Sequence, residues 1–263
     1  CKWKDLGKHI SNTVVIKEDE KIVASMILKD KEKNVVLFTK NGLTKQVPLS
    51  QFEVTRYSKP LTAIKLKEDD ELINVSIYKE DTLFVTNNGL YLRFKTSEIP
   101  VVGVKASGVK GINLKDDYVI YASTIKEEDE YLNVYTNLNT GKRLKLTDLV
   151  YISRAKKGNM LFKKAKTKDY KINFAYLTTS RDVNLCKIDN DLNEIKNSEI
   201  PIMDINSTGS TITKKRVDLW TLKAEEINLL NRNNNQEDTP KKELDKKENE
   251  QLSFASFIED FKI

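Results

Sequence analysis

Asn34-Val-Val-Leu-Phe-Thr-Lys-Asn-Gly-Leu-Thr-Lys45 is followed, 47 residues on, by Asp81-Thr-Leu-Phe-Val-Thr-Asn-Asn-Gly-Leu-Tyr-Leu92. Each stretch reads as two short strands around a tight turn. Asn41-Gly42 and Asn88-Gly89 supply the positive φ angles that a hairpin turn requires, and the flanks are rich in β-branched and aromatic residues. Tyr131-Leu-Asn-Val-Tyr-Thr136 with Gly141-Lys-Arg-Leu-Lys-Leu146 reads as a third copy with a longer turn. A fourth and weaker copy is read in Phe174-Ala-Tyr-Leu-Thr178 with Val183-Asn-Leu-Cys-Lys-Ile188. The threonines in phase, Thr39, Thr86, Thr136 and Thr178, then stand 47, 50 and 42 residues apart.

A second element closes each copy. Ile64-Lys-Leu66, Glu68-Asp-Asp70 and Leu72-Ile73 match Ile112-Asn-Leu114, Asp116-Asp117 and Val119-Ile120, and Val14-Val-Ile16, Glu18-Asp-Glu20 and Ile22-Val23 form a half-copy before any hairpin. The chain is therefore expected to begin inside a repeat, as a piece of a longer protein. A unit of this length with four short strands, repeated, marks a propeller-like array, so the fold class is all-β. The expected organisation is a repeat domain over residues 1–226, with a partial repeat in 1–23 and four repeats of 42–50 residues; a polar, disordered linker over 227–250; and a short amphipathic segment over 251–263. That last segment sets Phe254, Phe257, Ile258 and Phe261 at helical spacing. It suits docking to a protein partner.

Composition narrows the chemistry. The net charge is +6, but residues 233–263 carry eight acidic groups against five lysines, leaving +9 on residues 1–232. A basic body with an acidic tail suits a polyanionic partner. Nothing resembles a membrane span. Two cysteines, Cys1 and Cys186, cannot build a disulfide framework, and with His9 the single histidine they leave zinc ligation without a ligand set. A cytoplasmic setting is expected.

The tempting sites have plainer readings. The acidic clusters 68–70, 116–117 and 127–130 fall between strands, where solvated turns account for them better than metal ligation does. Gly103, Gly108 and Gly111 beside Lys110 lack phosphate-loop spacing and a following helix. His9 has no partners for general-base work, and no nucleophile, base and orienting group emerge anywhere. The strand aromatics suit a core.

Together with Gly108-Val-Lys-Gly-Ile-Asn-Leu114 and Arg56-Tyr-Ser-Lys-Pro-Leu61, the repeat resembles the C-terminal β-pinwheel of bacterial type IIA topoisomerase A subunits, over roughly residues 2–225. Gyrase A subunits carry a Gln-Arg-Arg-Gly-Gly-Lys-Gly box after the first hairpin. Val54-Thr-Arg-Tyr-Ser-Lys-Pro60 stands there in this chain and lacks its glycines. The stretch is closer to topoisomerase IV A subunits of Gram-positive-type bacteria. The resemblance implies strands exchanged between neighbouring blades and duplex DNA bent around a basic rim. It implies assembly with the remainder of the A subunit, with an ATPase B subunit, and on the nucleoid. ATP and magnesium would be used by other domains or subunits, with no cofactor in this part. It also implies decatenation and relaxation by the whole enzyme, with no catalytic residue here; Arg56-Tyr57 lies in the wrong context for the DNA-cleaving pair.

Cations recur in step with the repeats: Lys40, Lys45, Arg56, Lys59 and Lys65; then Arg93, Lys95, Lys105 and Lys110; then Lys142, Arg143, Lys145, Arg154, Lys156 and Lys157. A charged path of this kind suits phosphate contacts without base reading. The expected function is sequence-independent binding of double-stranded DNA. The alternatives are a gyrase A domain with a degenerate box and a propeller-like platform for protein partners.

Overall fold

The computed structural model describes residues 16–17, 20–26, 33–53, 60–163 and 169–223. Three hairpins stand where the Asn-Gly logic puts them: β1 (Asn34–Thr39) with β2 (Leu43–Pro48), β4 (Asp81–Thr86) with β5 (Leu90–Lys95), and β8 (Tyr131–Thr136) with β9 (Thr140–Lys145). Gly42, Gly89 and Asn139 take positive φ angles of 78°, 84° and 58° at the turns. The repeating threonine closes each turn from within. Thr39, Thr86 and Thr136 Oγ1 accept the N–H of Leu43, Leu90 and Thr140 at 3.0, 3.0 and 3.3 Å. The acidic clusters are turn caps, as their spacing suggests: the Asp70 carboxylate accepts the Asn41 N–H at 2.9 Å, and Asp117 accepts that of Asn88 at 3.0 Å.

The fourth hairpin is not the one read from the sequence. Thr178 belongs to β11 (Ile172–Thr178), which pairs with β8 in the third sheet. The hairpin is β12 (Val183–Ile188) with β13 (Asp191–Lys196). β13 is polar and nearly all exposed, so it carries none of the apolar pattern by which a strand is recognised.

Each hairpin gains a strand on its first member: β3 (Leu72–Ile77) on β1, β7 (Val119–Ile125) on β4, β11 on β8 and β15 (Leu219–Leu222) on β12. In the first three hairpins the second member gains a two-residue strand from the following repeat. β6 (Val109–Lys110) leaves the second repeat to pair with β2, β10 (Asn159–Met160) returns to β5, and β14 (Ser210–Thr211) returns to β9. Neighbouring blades therefore exchange strands, as the resemblance implies. Because the sheets stack face to face, the strands of the first three hairpins are buried on both sides and lose the in–out alternation of a half-exposed strand. Phe38 meets Phe84 edge-on across the first interface (centroids 5.5 Å apart), and Tyr135 stacks on Trp220 at 4.0 Å across the last.

The exchanging arm passes so close to its host strand that only glycine fits. Gly108, Gly158 and Gly209 hold φ angles of 93°, 83° and 87°. A Cβ on Gly108 would sit 2.7 Å from the Thr44 carbonyl oxygen, one on Gly209 2.9 Å from that of Gly141, and one on Gly158 closer still to that of Tyr91.

Crossing outward leaves the arm with carbonyls that no strand can satisfy. Donors from the host hairpin satisfy them. Lys45 Nζ, on a fully buried side chain, donates to the carbonyls of Gly103, Val104 and Ala106 at 2.9, 3.0 and 2.8 Å. Lys142 Nζ does the same for Asp204, Ile205 and Ser207 at 2.8, 3.0 and 2.8 Å, and for Leu161 at 2.7 Å. The next residue grips the 3-10 turn that opens the arm. Gln46 Nε2 donates to Thr96 and Ile99 at 2.9 and 2.8 Å, Arg93 Nη1 to Leu146 at 2.6 Å, and Arg143 Nε to Ile200 at 2.6 Å. Lys45, Lys142 and Arg143 are therefore buried pins of the fold and not rim cations; four of the repeating charges, Arg93 included, point into protein. Burial pulls Lys45 below the ordinary lysine value and brings Lys142 down to about 8.

Two variants and an exposed control test this architecture. Gly158→Ala combines a left-handed backbone with a clash against Tyr91 and should cost more than about 2 kcal/mol. Lys142→Ala strands buried carbonyls and should cost about 3 kcal/mol, a fall of roughly 10 °C in Tm. The exposed Lys145→Ala should stay within about 0.5 kcal/mol of the parent. Thermal unfolding followed by circular dichroism measures all three; equal losses for Lys142 and Lys145 would remove the pin.

Candidate nucleic-acid interface

With the pins set aside, the remaining cations sort by position. Lys65, Lys105, Lys110, Lys145, Lys156 and Lys157 are exposed. Lys40 pairs with Glu71 at 3.2 Å and lies 5.7 Å from the centroid of the Tyr118 ring. Lys95 is drawn to Glu80 at 3.0 Å and Asp81 at 2.9 Å. Arg56 and Lys59 fall outside the described residues, as do Tyr57, His9 and the tail.

Asp81, Arg93, Lys95 and Tyr151 form one cluster on the second blade. Arg93 Nη2 donates to Asp81 at 2.7 Å, its guanidinium lies 4.4 Å from the Tyr151 ring centroid, and the Tyr151 hydroxyl donates to Asp81 at 2.5 Å. Burial works to raise the Asp81 carboxyl. The hydrogen bonds from Tyr151, Arg93 and Lys95 outweigh it and hold the carboxyl below the ordinary aspartate value. Lys95 is raised above the ordinary lysine value, chiefly by its bond to Asp81. With Glu80 on Lys95, two carboxylates match the two cations, so Arg93 and Lys95 offer a phosphate little.

The exposed lysines share a common origin in the arms. Each arm bows outward between its 3-10 turn and its exchanged strand, over residues 103–107, 153–157 and 204–208. The stretch that follows one arm is bonded to the bow of the next arm. Lys65 N–H donates to Ala106 O at 3.4 Å, Asn113 N–H to Lys156 O at 2.9 Å, and Lys163 N–H to Asn206 O at 3.0 Å. The bows form a continuous edge through three blades, and Lys65, Lys105, Lys110, Lys156 and Lys157 stand on it. Lys145 does not; it lies at the 3-10 turn Leu146–Asp148.

Sequence reading missed further cations. Exposed Lys163 and the run Lys214-Lys215-Arg216 follow the second and third left-handed glycines, as Lys110 and Lys115 follow the first. The signal was available: Gly108, Gly158 and Gly209 stand 50 and 51 residues apart. Lys215 and Arg216 are partly engaged by Asp189 at 3.5 Å and Asp218 at 3.9 Å.

No group of three His, Cys, Asp or Glu among the described residues could hold a metal ion, and no helix there is long and apolar enough to cross a membrane. Cys186 is buried in the fourth-blade core, and that burial raises its thiol. The edge has the chemistry of a polyanion contact: exposed ammonium groups on backbone fixed by hydrogen bonds from two blades.

Known proteins place this arrangement. The chain is 37% identical over 175 residues to the A subunit of DNA topoisomerase 4 from Bacillus subtilis (strain 168), a match covering 65% of this chain and 22% of that protein. It is 40% identical over 176 residues to the same subunit from Staphylococcus epidermidis, with the same two coverages. The chain thus spans about a fifth of the length of these relatives. Among solved structures, the C-terminal domain of DNA topoisomerase IV superposes with a TM-score of 0.76 at 33% identity, covering 84% of this chain and 72% of that one. The DNA gyrase A C-terminal domain, at 19% identity and a TM-score of 0.68, shares the fold over 84% of this chain and 74% of its own. Residues 33–79, 80–126 and 136–175 match the family described as DNA gyrase C-terminal domain, beta-propeller, and with its exchanged strands and pinned arms the chain belongs to that family.

Proposed function

We propose that this domain binds double-stranded DNA through its sugar–phosphate backbone, without reading sequence, as the C-terminal domain of a topoisomerase IV A subunit. Exposed lysines on the first two bows and on the stretches beside them carry the reading. They lie on one edge, on backbone that neighbouring blades hold in register, and they present ammonium groups rather than the planar amide and guanidinium groups that discriminate bases. DNA following that edge would bend, as backbone contacts spread over a curved surface require. In the whole enzyme, the domain would work beside the other A-chain domains and the ATPase B subunit in decatenation and relaxation. ATP and magnesium would be used elsewhere in the assembly, in the cytoplasm and on the nucleoid.

A protein-interaction platform is the second reading. Val101, Tyr151 and Ile202 favour it, as they occupy equivalent positions in the arms and are about half exposed. Salt separates the two. A backbone-binding domain should lose affinity steeply and equally for unrelated duplexes as salt rises, with a log–log slope of about −0.9 per phosphate contact. A flat response in fluorescence anisotropy would leave the platform.

The gyrase alternative is tested by topology. Within its full-length chain and paired with its ATPase partner, the domain should support decatenation and relaxation and should not introduce negative supercoils. Negative supercoiling of relaxed plasmid with ATP would overturn the topoisomerase IV assignment.

A further inference from the structure

The ammonium groups are not spread evenly along the edge. At the second bow, four backbone oxygens are tied to the backbone or to Arg154 of another segment. Ala155 N–H donates to Gly111 O at 2.7 Å and Asn113 N–H to Lys156 O at 2.9 Å. The Arg154 guanidinium donates through Nη1 to Lys110 O at 2.5 Å and through Nε to Glu98 O at 2.9 Å. These bonds bring Lys110, the last residue of the strand exchanged into the first sheet, against the bow that carries Lys156 and Lys157. All three side chains are exposed. None of them has a carboxylate within ion-pair distance among the described residues. Three exposed cations thus stand on one stretch of tied backbone without a counter-charge; Lys110 Nζ donates to the uncharged Asn113 Oδ1 at 3.4 Å. A phosphate would supply the missing counter-charge. The other junctions are poorer: the first bow has one exposed cation, Lys105, with Lys65 beside it, and the third bow has none, with Lys163 beside it and Asp204 on the surface.

We infer that the DNA backbone is anchored chiefly at the junction of Lys110, Lys156 and Lys157, that Arg154 is a positioning residue tying the two blades there, and that the grip ends at the third bow, residues 204–208. The inference rests on the DNA-binding reading above. Arg154 spends two of its five donors, on Nε and Nη1, on carbonyls of separate segments, which fixes the guanidinium between them.

The test is fluorescence anisotropy of the intact chain with two duplexes of unrelated sequence, over a range of sodium chloride concentrations. Lys156→Ala with Lys157→Ala should make the salt slope shallower by about 1.8, twice the value of about 0.9 per contact, equally for both duplexes. Lys145→Ala should leave it unchanged, and Asp204→Lys should steepen it. Arg154→Lys keeps the charge and loses the two-carbonyl clamp; it should weaken binding and make the slope shallower. A purely structural Arg154 would lower Tm and leave the slope of the folded protein alone. A steep parental slope that survives loss of both Lys156 and Lys157 overturns the anchor and leaves DNA binding standing. A flat parental slope removes DNA binding itself, and the anchor with it.

Discussion

A strand that crosses from one blade to the next must leave its own ladder before it joins another, and in the gap its carbonyls have no backbone partner. The fold depends on how that gap is filled. Lys45 and Lys142, each three residues beyond the left-handed turn residue of its hairpin, reach into the bow of the incoming arm and satisfy three of its carbonyls, or four with Leu161. An ammonium group suits the task because it is three donors on a flexible stem and accepts nothing. In the second hairpin the same place is taken by Leu92, which packs with Phe84 and Phe94 in an apolar core. There no buried lysine reaches the bow: Lys156 O accepts the Asn113 N–H, and Arg154, on the bow itself, reaches out to the carbonyls of Glu98 and Lys110.

Parts of this were legible in the sequence because they are local. The Asn-Gly turns, the threonine that closes each turn and the aspartate that caps it act within one hairpin and its neighbouring loop, so their spacing survives in the chain. The fourth hairpin was not legible, because β13 faces solvent and reads as a polar loop. Thr178 was a false marker: it is a buried threonine bonded to Asn133 Oδ1 at 3.1 Å, part of a polar network with Asn184 and Asn197 between the third and fourth blades. The exchanged strands left no periodicity to find, since each is two residues long. Their trace is the glycine that precedes each of them.

The cations show a different limit. In a strand with one exposed face, a lysine can be placed by its parity with its apolar neighbours. Strands buried on both faces have no such parity, and Lys45 stands between buried Thr44 and buried Gln46. Charge repeated in step with a fold has two origins, a shared external partner or a shared internal need. Here both are present in one repeat. Lys45 and Lys105 belong to the same arm junction, the first beneath the bow and the second upon it.

The exchanged strand also has a consequence for the order of assembly. A ribosome delivers β1 and β2 long before β6, which lies beyond the whole of the second hairpin. Until that hairpin has emerged, the edge of β2 is open and Lys45 has no carbonyls to bind. The same holds for β5 until β10 appears, and for β9 until β14. The first three blades are each finished by a successor, and while they are made the growing chain carries an incomplete sheet whose missing strand has yet to appear.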